Sequence, residues 1–114
     1  MEKRVEYAKS FLKESSKILL RNFKNKDDIN NIELLEKSLK KVEAHIIGSI
    51  FNRYPIDSIY SERVGEIKKS SSYSWKIIPF NFKEDFKESS LSIIIDGENN
   101  SIKTTYLPFK EIFK

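Results

Sequence analysis

The chain has 114 residues, of which 39% are hydrophobic and 33% charged, and its formal net charge is +4. This length suits one domain, 1–114, with a core of its own, and the lack of cysteine excludes disulfides and cysteine-bound zinc. No apolar run reaches the roughly 20 residues that a membrane-spanning helix needs, and residues 1–16 lack a signal-peptide apolar centre, so we expect a cytoplasmic protein.

The first half of the chain predicts two amphipathic helices, because apolar residues recur there every three or four positions. The first covers residues 4–23, and a polar break follows at 25–31. The second begins at Ile32 and ends before Pro55. Its apolar stripe is the clearest periodic pattern in the chain: Ile32, Leu35, Leu39, Val42, Ile46, Ile50 and Tyr54.

The period changes after Pro55, where short apolar segments predict strands. These segments are 58–60, 75–80, 91–95 and 102–107. Residues 61–74 have low apolar content and predict a loop, and 96–100 (DGENN) predicts a hairpin turn. Two helices followed by strands predict an α+β fold, with two long N-terminal helices packed on one face of an antiparallel β-sheet.

Several common catalytic or binding patterns are absent. The single histidine, His45, flanks the stripe of the second helix, so we expect a packing or surface role. No second base completes a serine triad, and three glycines provide no phosphate loop. Phe80, Phe82 and Phe86 could stack on bases, but aromatic residues beside a strand are more typical of a core.

The order of five segments is more informative than any one motif. They are SSKILLRNF (15–23), VEAHIIGSIFNRYPIDSIYSERVG (42–65), WKIIPFNFKEDF (75–86), LSIII (91–95) and YLPFKEIF (106–113). In this order they resemble the N-terminal half of the inositol monophosphatase family, a group of metal-dependent, lithium-sensitive sugar-phosphate phosphatases. The resemblance implies that family's fold for 1–114, without the family's C-terminal domain.

The resemblance also implies where metal ligands would stand. Family members hold magnesium with carboxylates, namely a Glu-Glu pair after the first strand and an Asp-Pro-hydrophobic-Asp-Gly-Thr motif after the tryptophan strand. Glu62 matches the first glutamate and is the only retained candidate metal ligand, whereas Arg63 replaces the second. Ile78 and Asn81 stand at the two aspartate positions, and Lys83 stands at the threonine position.

One further acidic position is changed. Leu39 stands where the family usually has an aspartate, four residues before the match at Glu43. With one carboxylate left, we expect no catalytic residue and no cofactor. Either Lys83 or Arg63 becomes a candidate replacement cation that pairs with Glu62.

The resemblance therefore implies a shortened, catalytically inactive relative that acts as a binding or assembly module. Its partner would be a second copy or another protein. Some bacterial relatives act with the transcription machinery, which adds RNA or that machinery as a partner. Two alternatives stay open. One is a magnesium-dependent phosphatase completed by a partner chain, and the other is a nucleic-acid-binding module, although lysines that alternate with Glu and Asp favour a solvated surface.

Overall fold

The computed structural model describes residues 1–23, 32–78, 90–98 and 101–112. Within these ranges two long helices precede five strands and a short final helix. The elements are α1 (Glu2–Asn22), α2 (Ile32–Arg53), β1 (Ser58–Ser61), β2 (Gly65–Ile67), β3 (Ser74–Ile78), β4 (Ser90–Asp96), β5 (Ile102–Pro108) and α3 (Phe109–Ile112). Among the described helices, none combines the length and the apolar character that crossing a bilayer requires.

The two predicted helices are confirmed, and their apolar stripes form the helical half of the core. α1 buries Ala8, Phe11, Leu12, Leu19 and the adjoining Phe23; α2 buries Leu35, Leu39, Val42, Ile46 and Ile50. The helices pack against each other, and α1 also packs on β4 and β5. The Tyr54 amide donates the last helical hydrogen bond of α2, to the Ile50 carbonyl (2.7 Å). The next residue, Pro55, has no backbone N–H and cannot continue the helix.

The sheet is mixed, with strand order β2-β1-β3-β4-β5. β1 and β3 run parallel, while the other three neighbouring pairs are antiparallel. The α+β prediction is confirmed, but a fully antiparallel sheet is not. The difference comes from β2, which reverses the chain, and from 68–73, which reverses it again and places β3 on the other side of β1.

β2 lies inside the segment that was predicted as a loop, so that prediction is wrong. It has three residues, too few for a period-two pattern to stand out. The other four strands are confirmed where they are described, and residues 79–80 and 99–100 of the predicted strand and turn lie outside the described residues. α3 (Phe109–Ile112), one turn of helix, was not predicted.

One face of the sheet completes the core. Alternate residues of the central strands face the helices and are almost fully buried: Ile59, Trp75, Ile77, Leu91, Ile93 and Ile95. The burial of β4 alternates along its whole length, which is the pattern of a strand with one covered and one open face. The helices therefore cover one face of the sheet, as predicted.

A buried carboxylate joins three parts of the fold. Asp57, 1% exposed, lies between α2 and β1. Arg4 of α1 donates from Nε to Asp57 Oδ2 (2.8 Å) and from Nη2 to Oδ1 (3.1 Å). Trp75 Nε1 of β3 donates to Oδ2 (2.9 Å). The Arg4 guanidinium also stacks on Tyr54 and Tyr73, 4.3 and 3.7 Å from their ring centroids.

These contacts decide the charge of Asp57. Burial acts to raise the pKa of this carboxyl, but hydrogen bonds from Arg4, Trp75 and Ser71 together outweigh it and hold the pKa below the ordinary value of 3.8. Burial acts to lower the pKa of Arg4, and the bond to Asp57 more than offsets this effect. The pair is therefore ionised in the folded protein at neutral pH.

We expect Asp57→Asn to lower the free energy of unfolding by about 3 kcal/mol at pH 7. This is the lower end for a broken buried pair, because the Arg4 side chain stays 19% exposed. A native pKa below the unfolded one stabilises the fold above pH 3.8, and this contribution is lost as pH falls through the native pKa. The difference between wild type and variant, measured by urea unfolding, should therefore shrink in acid.

The matched control is Asp96→Asn, which changes an exposed carboxylate at the end of β4. Its effect should stay within about 0.5 kcal/mol. An Asp57→Asn deficit that is the same at pH 7 and well below pH 3.8 would contradict the assignment of an ionised pair.

Candidate functional site

The parallel pair defines one edge of the sheet at which functional residues can meet. Because β1 and β3 run in the same direction, their carboxyl ends lie side by side, the position at which open sheets with parallel strands bind ligands. Ser61 and Ile77 are the last pair of the two strands, and Glu62 and Ile78 each follow directly after it. Two of the residues singled out in the sequence are thus brought to the same edge.

The turn that follows β1 determines how Glu62 and Arg63 are presented. The buried Ser61 accepts a hydrogen bond at Oγ from the Val64 amide (3.2 Å). Gly65 then adopts a positive φ of 83°, a backbone region that favours glycine. In this turn Glu62 is exposed, and among the described residues it has no ion-pair partner.

Arg63 pairs with Glu43 of α2. The Glu43 side chain is 3% exposed, and Arg63 Nε lies 3.1 Å from its Oε2. The Arg63 backbone amide also donates to Oε1 at 3.4 Å. The approach to Oε2 lacks hydrogen-bond geometry, so this buried oxygen has no hydrogen-bond partner among the described residues. The pair is therefore held by charge more than by directed hydrogen bonds.

This pairing corrects one sequence-based expectation. Arg63 was expected as a cation that pairs with Glu62, its neighbour in the chain. The structure instead pairs it with Glu43, because a buried carboxylate without a counter-charge costs far more free energy than an exposed one. The other candidate cation, Lys83, lies outside the described residues together with Asn81 and the aromatic residues Phe80, Phe82 and Phe86.

Hydrocarbon occupies two positions at which the resemblance implies aspartates. Leu39 is 1% exposed and belongs to the core. Ile78 is half-buried at the last position of β3. Leu39 lies one helical turn before Glu43, so α2 presents an apolar side chain and a carboxylate on the same face.

A shallow cavity of about 360 Å³ adjoins the ion pair. α2 contributes Lys40, Glu43, Ala44 and Ile47 to its lining, and the turn after β1 contributes Arg63 and Val64. Val64 is 57% exposed. The cavity thus combines two cationic side chains, a carboxylate that is paired with one of them, and an apolar wall.

Glu43 was missed as a site residue, although the sequence contained a signal for it. It lies four residues after Leu39 and three before Ile46, on the buried stripe of α2. An acidic residue in such a stripe needs a counter-charge. His45, in contrast, lies away from this cavity and contacts Glu14 of α1 through Nε2 at 2.7 Å, a surface role as expected.

No protein-family model and no curated protein matches this chain. Solved structures do match it. One is inositol monophosphatase II from Staphylococcus aureus MSSA476, with a TM-score of 0.69, 16% identity, and coverage of 96% of this chain and 47% of that one. Another is the extragenic suppressor protein suhB from Bartonella henselae, with a TM-score of 0.63, 14% identity, and coverage of 86% and 45%. A third, 2'AMP-bound staphylococcal IMPase-II, has a TM-score of 0.60, 18% identity, and coverage of 90% and 44%.

These likenesses establish the fold. The chain has an inositol-monophosphatase-like architecture, which confirms the resemblance seen in the sequence. It spans slightly less than half the length of the structures that it matches. At sequence identities of 14–18%, these matches show the fold alone and carry no information on the activity of this chain.

We expect a double-mutant cycle of Arg63→Ala and Glu43→Gln to give a coupling free energy of about 1–2 kcal/mol. Arg63→Ala alone leaves a buried carboxylate without its cation, whereas in the Glu43→Gln background the same change removes little. The measurement is urea unfolding of the four proteins at pH 7. A coupling free energy below about 0.5 kcal/mol would contradict the assignment of Arg63 as the counter-charge of Glu43.

Proposed function

We propose that this chain is a protein-binding or assembly module on an inositol-monophosphatase-like fold, without magnesium-dependent phosphatase activity of its own. The Glu43–Arg63 ion pair is the observation that carries the proposal. It puts the Arg63 guanidinium 3.1 Å from the buried carboxylate of Glu43, close to the carboxyl edge of the parallel pair. A cation that belongs to the protein thus stands at the edge where the resemblance implies a metal ion.

The described residues at this edge do not fit a magnesium ion. Magnesium requires octahedral geometry and several oxygen ligands, with carboxylates supplying the negative charge. Glu62 is exposed in a turn, Glu43 is neutralised by Arg63, and Ile78 offers hydrocarbon. The described ranges contain no group of three or more His, Cys, Asp or Glu side chains that could hold a metal.

The absence of a suitable metal site among the described residues bears on the chemistry. Hydrolysis of a phosphate monoester needs an activated water, and a bound metal supplies one by lowering the pKa of water from about 15.7 to about 7. The described residues provide no alternative base at this edge, because the single histidine pairs with Glu14 on the helical surface. We therefore assign no catalytic residue and no cofactor.

Exposed hydrophobic side chains support a binding role. Large hydrophobic side chains remain exposed on both the turn and the sheet: Val64 is 57%, Ile102 59% and Tyr106 64% exposed. Ile102 and Tyr106 lie on the same open face of β5, and exposed apolar side chains that cluster are typical of interaction surfaces. We therefore attribute the proposed role to exposed apolar side chains and not to a catalytic site.

We expect the purified chain to leave the electron paramagnetic resonance signal of free Mn²⁺ unchanged and to release no phosphate from inositol 1-phosphate with magnesium. A triple variant, Arg63→Glu with Ile78→Asp and Asn81→Asp, restores the carboxylates that the resemblance implies. Its Mn²⁺ signal should fall on titration, because carboxylates then replace the guanidinium and the hydrocarbon.

The control is Lys37→Glu with Lys41→Glu on the exposed face of α2, which changes the net charge by the same amount. This variant should not bind Mn²⁺. Phosphate release by the wild-type chain that is abolished by Glu62→Gln would overturn the proposal.

A further inference from the structure

β5 (Ile102–Pro108) forms one edge of the sheet among the described residues. It has seven residues, and four of them are exposed, whereas β4 beside it alternates regularly between covered and open positions. The opposite edge, β2, has only three residues. A long, exposed edge strand offers unpaired backbone amides and carbonyls to another strand.

The two faces of β5 differ in chemistry. Its pairing with β4 sets Lys103 opposite Ile95 and Thr105 opposite Ile93, both of which face the helices. The alternate residues therefore point to the open face of the sheet. Two of them, Ile102 and Tyr106, are 59% and 64% exposed. The edge thus presents an apolar outer face.

The inner face of this edge is basic. A groove of about 280 Å³ runs between α1 and β5. α1 contributes Leu12 and Ser16 to it, together with the exposed lysines Lys9 and Lys13. Lys103 lies on the same side of the sheet. No acidic side chain from the described residues lines this groove.

We infer that β5 accepts an extended, acidic segment of a partner protein as a sixth strand. Successive side chains of a strand point to opposite faces, so a segment that alternates acidic and apolar residues fits both faces at once. Its acidic side chains would face Lys9 and Lys13, and its apolar ones would lie beside Ile102 and Tyr106. This inference rests on the proposed binding function and names the class of partner.

Charge favours this partner over a second copy of the chain. If two β5 strands paired about a two-fold axis, the two α1 helices would lie on the same side of the joined sheet. Lys9, Lys13 and Lys103 of each copy would then approach the same lysines of the other. Like charges facing each other across strands are destabilising, whereas an acidic segment neutralises them.

The test uses the full chain and three short synthetic peptides. In the first, Glu alternates with Val; in the second, Lys replaces every Glu; the third is the first with alternate backbone amides N-methylated. We expect the Glu peptide to bind about tenfold or more tightly than the Lys peptide by fluorescence anisotropy. The N-methylated peptide should lose binding, because it lacks the donors that extend the sheet.

Protein variants check the location. Lys9→Glu with Lys13→Glu should reverse the preference between the Glu and Lys peptides, while Lys37→Glu with Lys41→Glu on α2 should leave it unchanged. Amide NMR shifts should change along β5 and the facing side of α1. Circular dichroism of each variant separates loss of binding from loss of fold.

Three results would overturn the inference: equal affinity for the Glu and Lys peptides, full binding by the N-methylated peptide, or a two-fold dimer through β5 in solution that excludes the peptide. The outcome is independent of the Mn²⁺ and phosphate-release assays. A chain that releases phosphate with magnesium yet also binds the Glu peptide refutes the proposed lack of phosphatase activity and keeps the edge-strand site.

Discussion

The structure depends on one buried carboxylate, Asp57, and on the groups that neutralise it. Arg4 comes from the start of α1 and Trp75 from the start of β3, while Asp57 itself precedes β1. The contact therefore fixes the first helix and the amino ends of both parallel strands relative to one another. Because β1 and β3 start from the same point and run in the same direction, their carboxyl ends must also meet. The position of the candidate site follows from that constraint.

A second ion pair lies at the other end of the same two strands, and the contrast between the pairs is informative. Asp57 receives directed hydrogen bonds from Arg4 and from Trp75, so both of its oxygens are satisfied. Glu43 has a guanidinium at 3.1 Å, yet its Oε2 has no hydrogen bond among the described residues. A well-satisfied pair contributes to specificity of the fold, whereas an under-satisfied one contributes little net stability. The first is suited to holding the framework, and the second lies at the carboxyl edge of the parallel pair, where we place the candidate site.

The sequence predicted much of the fold, because its helices and longer strands carry strong periodic patterns. α2 buries five apolar residues at helical spacing, and β4 alternates along its length. Two features carried no such pattern. β2 is three residues long, and the direction of β3 relative to β1 depends on the route of the chain through 61–74, not on the composition of either strand. Strand pairing is a non-local property that a local period cannot encode.

The candidate site was harder to predict than the fold, for a related reason. Glu62 and Ile78 could be placed by their order along the chain, but the partner of Arg63 could not, since Glu43 lies 20 positions away. Under the proposed function, Leu39 in the core and Ile78 at the end of β3 also have a stability rationale. A cluster of carboxylates without a metal repels itself, and replacing its members with hydrocarbon and a paired cation removes that repulsion. Under that proposal the packing of α1 and α2 on the sheet does not depend on a metal ion, and neither does the edge of the sheet through which we propose that the chain binds a partner.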